Sequence, residues 1–151
     1  MGTLLSDIFD TRSIKFNLED KTKEEVFDEL AEAIKKVHPE CDHKSMLASL
    51  WERENKLNTG IISGVAIPHA SYGGINNIAG AIGISQTGID YGAFDNSPVY
   101  VVFMLVIGEK ATENHLRALN QLFMLAQSEG ISIIRNAHNT QTVKDILLQI
   151  W

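Results

Sequence analysis

The sequence predicts an α/β protein: a three-layer α/β/α sandwich with a mixed β-sheet flanked by helices. Three observations predict it. Helical periodicity fills the first third of the chain, short glycine-rich apolar runs fill the middle, and helical periodicity returns at the end. The nine-residue run Val99–Ile107 is continuously apolar, as expected of a central strand covered on both faces. With 151 residues, 44% hydrophobic and 21% charged, the chain suits one core, so one domain is expected over residues 1–151.

The elements follow in order. A short helix is expected from Leu4 to Phe9. Residues 13–18 (Ser-Ile-Lys-Phe-Asn-Leu) alternate polar and apolar side chains and predict a strand. Thr22 and Glu25 have capping-box spacing, and Val26, Phe27, Leu30, Ile34 and Val37 then recur at helical intervals until Pro39. A second helix is expected over His43–Asn55, with Met46, Leu47 and Leu50 inward. The runs Ile61–Ile67, Ile78–Ile84 and Val99–Ile107 predict strands. Thr112 is placed to cap a helix running to about Gln127, with Leu116, Leu119, Leu122 and Phe123 on one face and Gly130 as its stop. A last helix is expected over Thr140–Ile150.

Composition excludes several classes. The net charge of -6 offers no basic footprint for nucleic acid. Cys41 stands alone, which excludes a disulfide framework and fits a reducing cytoplasm. The first residues lack a basic start and a long apolar stretch, so no signal peptide is expected. Nine apolar residues fall far short of the roughly 20 that span a bilayer, so direct membrane insertion is not expected and a cytoplasmic location is. The glycine-rich stretch Gly73–Gly83 lacks both the G-x-G-x-x-G spacing and a P-loop lysine, and predicts tight turns. No Gly-x-Ser-x-Gly elbow is present.

Three residues stand out for chemistry. His69 follows Pro68 at the end of an apolar run. The proline fixes its own φ and holds Ile67 extended, so His69 is expected to leave the sheet edge on a stiff backbone. The alternative is an ordinary surface histidine. His115 lies in the first turn of a helix that follows the Val99–Ile107 strand almost directly. Such a turn offers N–H groups and the positive end of the dipole to an anion, although an exposed histidine without a role would look the same. Arg53 lies on the Met46–Leu50–Arg53–Leu57 stripe, where a guanidinium can fork onto phosphate or merely offset the helix C-terminus. His38, His43 and His138 lack metal-ligand spacing and are expected to be solvated. A zinc site from His69, His115 and Asp95 or Glu113 has no motif behind it.

These residues fall in a pattern. The segment Trp51-Glu-Arg-Glu-Asn-Lys-Leu-Asn-Thr-Gly-Ile-Ile-Ser-Gly-Val-Ala-Ile-Pro-His-Ala70, with the blocks Phe94-Asp-Asn-Ser-Pro-Val99 and His115-Leu-Arg-Ala-Leu119, resembles the EIIA family of the mannitol, fructose and nitrogen phosphotransfer systems. Leu5–Phe9 and Lys23–Leu30 resemble the family's opening helices. Ala70 departs from it, since many members carry glycine there.

The resemblance implies that His69 is the phosphorylated histidine, His115 a second active-site histidine that assists transfer, and Arg53 the arginine beside them. It implies an HPr-like phosphocarrier protein as donor and an EIIB domain, or regulated target proteins in the nitrogen branch, as partners. No cofactor or metal is required. The sugar-transport and nitrogen-regulatory readings both stay open.

Overall fold

The computed structural model of the chain describes residues 5–18, 21–60 and 62–150. Among them, five strands form one mixed sheet. Its centre is the antiparallel pair β4 (Ile78–Ile89) and β5 (Val99–Ile107). β1 (Ile14–Lys15) pairs in parallel with β4. β2 (Val65–Ala66) and β3 (His69–Ser71) pair in parallel with β5 in one shared register, Val65 opposite Val101 and His69 opposite Leu105. They are one edge strand interrupted at Ile67-Pro68.

Helices cover both faces. α2 (Lys23–Val37) and α3 (His43–Lys56) pack on one. α1 (Leu5–Ile8), α4 (Thr112–Ala126), α5 (Gly130–Arg135) and α6 (Thr140–Leu148) pack on the other. β5 shows why its sequence is apolar throughout. Val101, Phe103, Leu105 and Ile107 enter one core, and Val102, Met104 and Val106 enter the opposite one. The expected three layers are therefore present. No helix among the described residues is long and apolar enough to cross a membrane.

Local chemistry sets the helix starts. Thr22 Oγ1 accepts the Glu25 N–H at 3.1 Å, and Glu25 Oε1 accepts the Thr22 N–H at 3.0 Å, the reciprocal capping box. Asp42 caps α3 by accepting the Ser45 N–H at 3.0 Å. α2 ends at Val37, two residues short of Pro39, because the residue before a proline disfavours helical ψ.

Several sequence expectations need correction. The 13–18 strand shrinks to Ile14–Lys15. Ser13 belongs to a 3₁₀ turn capped by Asp10, and Asn17 takes φ 62°, although the Leu18 N–H still reaches the Ile84 carbonyl at 3.1 Å. The 61–67 strand keeps only Val65–Ala66. Ile61 and Leu4 lie outside the described residues, while Ile62 bridges to Val65 across a turn with Gly64 at φ 79°. β4 continues five residues past Ile84 through a register shift. The cap position of α4 falls on Ala111, one residue before Thr112. Gly130 opens α5 rather than ending structure. Leu116 points to solvent at 64% exposure, since the inward face of α4 is Ala118, Leu122, Leu125 and Ala126. His43 is not simply solvated: its Nε2 lies 2.8 Å from Asp28 and its Nδ1 3.1 Å from Glu32, clasping α3 to α2.

Candidate active site

The site is assembled where the parallel strands β3 and β5 end, the place where open α/β sheets present ligands. His69 does not leave the sheet, as its position after a proline suggested; it opens β3. Pro68 has no N–H to give, but its carbonyl accepts the Leu105 N–H at 2.9 Å, so the ladder survives the interruption and resumes at His69. The imidazole is half-buried, and its Nδ1 lies 2.7 Å from the Ile67 carbonyl. A carbonyl only accepts, so this bond holds the proton on Nδ1 and leaves the lone pair on Nε2.

β5 turns into α4 through Gly108, where a side chain would collide with the backbone of Ile75 and Asn76. This tight approach brings the first turn of α4 beside β3. The His115 N–H makes the first bond of the helix ladder, to the Ala111 carbonyl at 2.7 Å. Its ring centroid stands 6.4 Å from that of His69. Arg53 reaches the same place from the last turn of α3. Its Nη1 donates to the Leu57 carbonyl at 2.9 Å, which anchors the guanidinium with one of its five donors.

The three residues line one cavity of about 340 Å³, together with Ser49, Glu52 and Lys56 of α3 and Ser71 and Ile107 at the strand ends. Lys56 did not stand out in the sequence. Helical spacing could have found it, because 49, 52, 53 and 56 recur at i, i+3, i+4 and i+7 on one face. Asp95 and Glu113 do not join the histidines. Among the described residues no three His, Cys, Asp or Glu side chains gather closely enough to hold a metal ion, so the zinc arrangement does not form.

Burial is the main reason that the His69 pKa lies below the ordinary 6.5. The positive charge of Arg53 and that of a protonated His115 lower it further. The Ile67 carbonyl bond and the negative charge of Glu54 pull the other way. The arrangement therefore presents a neutral imidazole with one tautomer fixed, beside cationic donors suited to an oxyanion. Such a group has the chemistry to attack an anionic, electrophilic centre.

The chain belongs to the family described as phosphoenolpyruvate-dependent sugar phosphotransferase system, EIIA 2, whose model matches residues 7–150. Its relatives span a sugar branch and a regulatory branch. It is 34% identical over 146 residues to the fructose-specific EIIABC component of Bacillus subtilis; the match covers 96% of this chain, which spans 23% of that longer protein. It is 29% identical over 135 residues to a nitrogen regulatory protein of Pseudomonas aeruginosa, covering 89% of this chain and 88% of the relative. Among solved structures, the nitrogen regulatory protein IIA-Ntr of Neisseria meningitidis superimposes with a TM-score of 0.88 at 26% identity, over 96% of this chain and 99% of that one.

Proposed function

We propose that the chain acts as a single EIIA domain that accepts a phosphoryl group on His69 and passes it on. The donor in this reading is a phosphohistidine of an HPr-like carrier. As the P–N bond of the donor breaks, a new bond forms between phosphorus and Nε2 of His69. The transition state is loose, so positioning and charge stabilisation carry most of the catalysis. Arg53, His115 and the first-turn N–H groups of α4 meet the charge on the phosphoryl oxygens. The acceptor is a cysteine or histidine of an EIIB domain. The EIIA of the Escherichia coli mannitol system, solved in complex with phosphorylated IIB, has the same fold, with a TM-score of 0.77 at 15% identity over 93% of this chain and 99% of that one.

The observation that carries the reading is the pairing of the two rings across one cavity, with His69 Nδ1 fixed on the Ile67 carbonyl. The test is incubation with Enzyme I, HPr and phosphoenolpyruvate, then mass mapping of the modified residue. Phosphate on His69, absent from a folded His69→Ala variant, is expected. Labelling at wild-type level in that variant would refute the assignment.

A second reading is favoured by the nitrogen regulatory proteins of Pseudomonas aeruginosa and Neisseria meningitidis, which match along 88% and 99% of their own length. Here the phosphorylation state of His69 changes the binding of target proteins, and no sugar moves. Transfer from phospho-His69 to an EIIB domain of the same cell separates the two readings: its presence supports transport and its absence supports regulation.

A further inference from the structure

Glu54 is the one buried charged residue among the described residues, and the chemistry above leaves it without a task. It follows Arg53 on the last turn of α3, but it points into the protein. Its Oε2 accepts from Lys23 Nζ at 2.9 Å and from the Thr59 N–H at 2.9 Å. Its Oε1 accepts the Thr59 hydroxyl at 2.6 Å. The threonine proton is thereby committed, so the Tyr91 hydroxyl, 2.8 Å away, donates to Thr59 Oγ1. A buried ion pair is a poor source of net stability, because desolvation offsets most of the attraction. Its position calls for another account.

The bonds lead to the nucleophile. Thr59 is gripped at its N–H and its hydroxyl by one carboxylate. Its carbonyl accepts the Ile67 N–H at 3.3 Å. The Ile67 carbonyl in turn accepts from His69 Nδ1 at 2.7 Å. Ile67 is 3% exposed and precedes Pro68, so the ψ rotation that joins its N–H to its carbonyl is restricted.

We propose that Glu54 is a positioning residue for His69, acting through Thr59 and the backbone of Ile67 to hold the imidazole in its Nδ1–H tautomer. The inference rests on the reading of His69 as the phosphoryl acceptor. Glutamine at position 54 keeps the shape but sets an NH2 group against the donors of either Lys23 and Thr59 N or the Thr59 hydroxyl. The 57–60 segment then loses an anchor, the Ile67 carbonyl loses its fixed direction, and Nε2–H becomes accessible. In that form Nε2 has no lone pair to attack with.

The experiment is nitrogen-15 NMR of histidine-labelled protein at pH 8, paired with the rate of His69 phosphorylation by phosphoramidate. In that reaction Nε2 bonds to phosphorus as the P–N bond breaks and ammonia leaves. Wild type is expected to show His69 as the Nδ1–H form. Glu54→Gln is expected to gain the Nε2–H form and to react about 10- to 100-fold more slowly, the scale set by small misplacement of a reacting group. Thr59→Val should change the tautomer in the same direction, and Thr59→Ser, which keeps the hydroxyl, should restore it. Should Glu54→Gln fail to fold, the Thr59 pair decides alone. Folded Glu54→Gln or Thr59→Val with the wild-type tautomer and rate overturns the proposal. If Enzyme I and HPr never label wild-type His69, the functional reading falls, while the tautomer comparison still decides the role of Glu54.

Discussion

The two faces of the sheet are held by different chemistry. β4 shows the contrast within one strand. Toward α1, α4, α5 and α6 it presents Ile78, Ile82 and Ile84, and that core is filled by aliphatic side chains with the Phe9–Phe103 pair at 5.9 Å. Toward α2 and α3 it presents Ala79, Ala81 and Gly83, where a side chain at Gly83 would strike Leu18 and crowd Leu30 of α2. On this second face the site end carries a buried ionic network. Lys23 pairs with Glu54 and sits 4.1 Å from the Tyr91 ring, beside the stacked Phe27 and Trp51. The difference teaches that both faces reach the site, but one is held by apolar packing, whereas on the other a buried ionic network runs from the layer to the site's edge.

The largest expected effect breaks the ionic face. Lys23→Met leaves the Glu54 side chain, 2% exposed, without its cation. The loss of a buried partner costs about 3–5 kcal/mol. Urea unfolding should report the cost, and His69 phosphorylation per folded molecule should slow as well. Leu147→Ala on α6, in the aliphatic core, should cost about 2–5 kcal/mol in the same assay. Its phosphorylation rate per folded molecule should equal wild type. Equal rate losses in both variants would erase the contrast between the faces. Next comes His115→Ala, which touches neither core. We expect labelling of His69 to slow by about 10²-fold, the scale of one lost general acid or oxyanion donor, with stability nearly unchanged. A wild-type rate would remove His115 from the site.

How much of this was legible in sequence depends on which force acted. The continuous apolar pattern of Val99–Ile107 identified β5 to the residue, because a strand buried on both faces has no polar alternation to misread. Thr22 and Glu25 marked the start of α2 because capping is local. The edge strand does not follow from its local sequence. Whether Pro68 ends a strand or only interrupts it depends on Leu105, donated by a strand 37 residues further along. Leu116 shares a face with Leu119 and Leu122 by spacing, yet it points to solvent, because spacing does not set where the buried stripe ends. The histidines were visible as residue types in suggestive places, but their 6.4 Å approach comes from the turn at Gly108 and the parallel register of β3, neither of which is local. The Lys23–Glu54–Thr59–Tyr91 network joins four segments, and no spacing announces it.

The smallest effect tests the seam between the faces. His69 sits there, with Arg53 supplied by α3 and His115 by α4. Its pKa is lowered by burial first, and further by the positive charge of Arg53 and by the neighbouring His115. In the unfolded chain it titrates near 6.5, whereas the folded protein refuses the proton until a lower pH. Between those values the unfolded state binds more protons, so stability rises with pH through that window and is lost as pH falls from about 6.5 to the folded pKa. Above about 6.5 both states are neutral, and below the folded pKa the loss is constant. Urea midpoints at pH 7.5 and 5.5 should therefore differ more in wild type than in His69→Gln, the comparison cancelling the other histidines. Arg53→Met should reduce the difference only in part, since it removes one cation while burial remains. If Arg53→Met abolished it, charge from the α3 side alone would set the state of His69; equal losses in wild type and His69→Gln would mean that His69 takes up its proton as readily folded as unfolded.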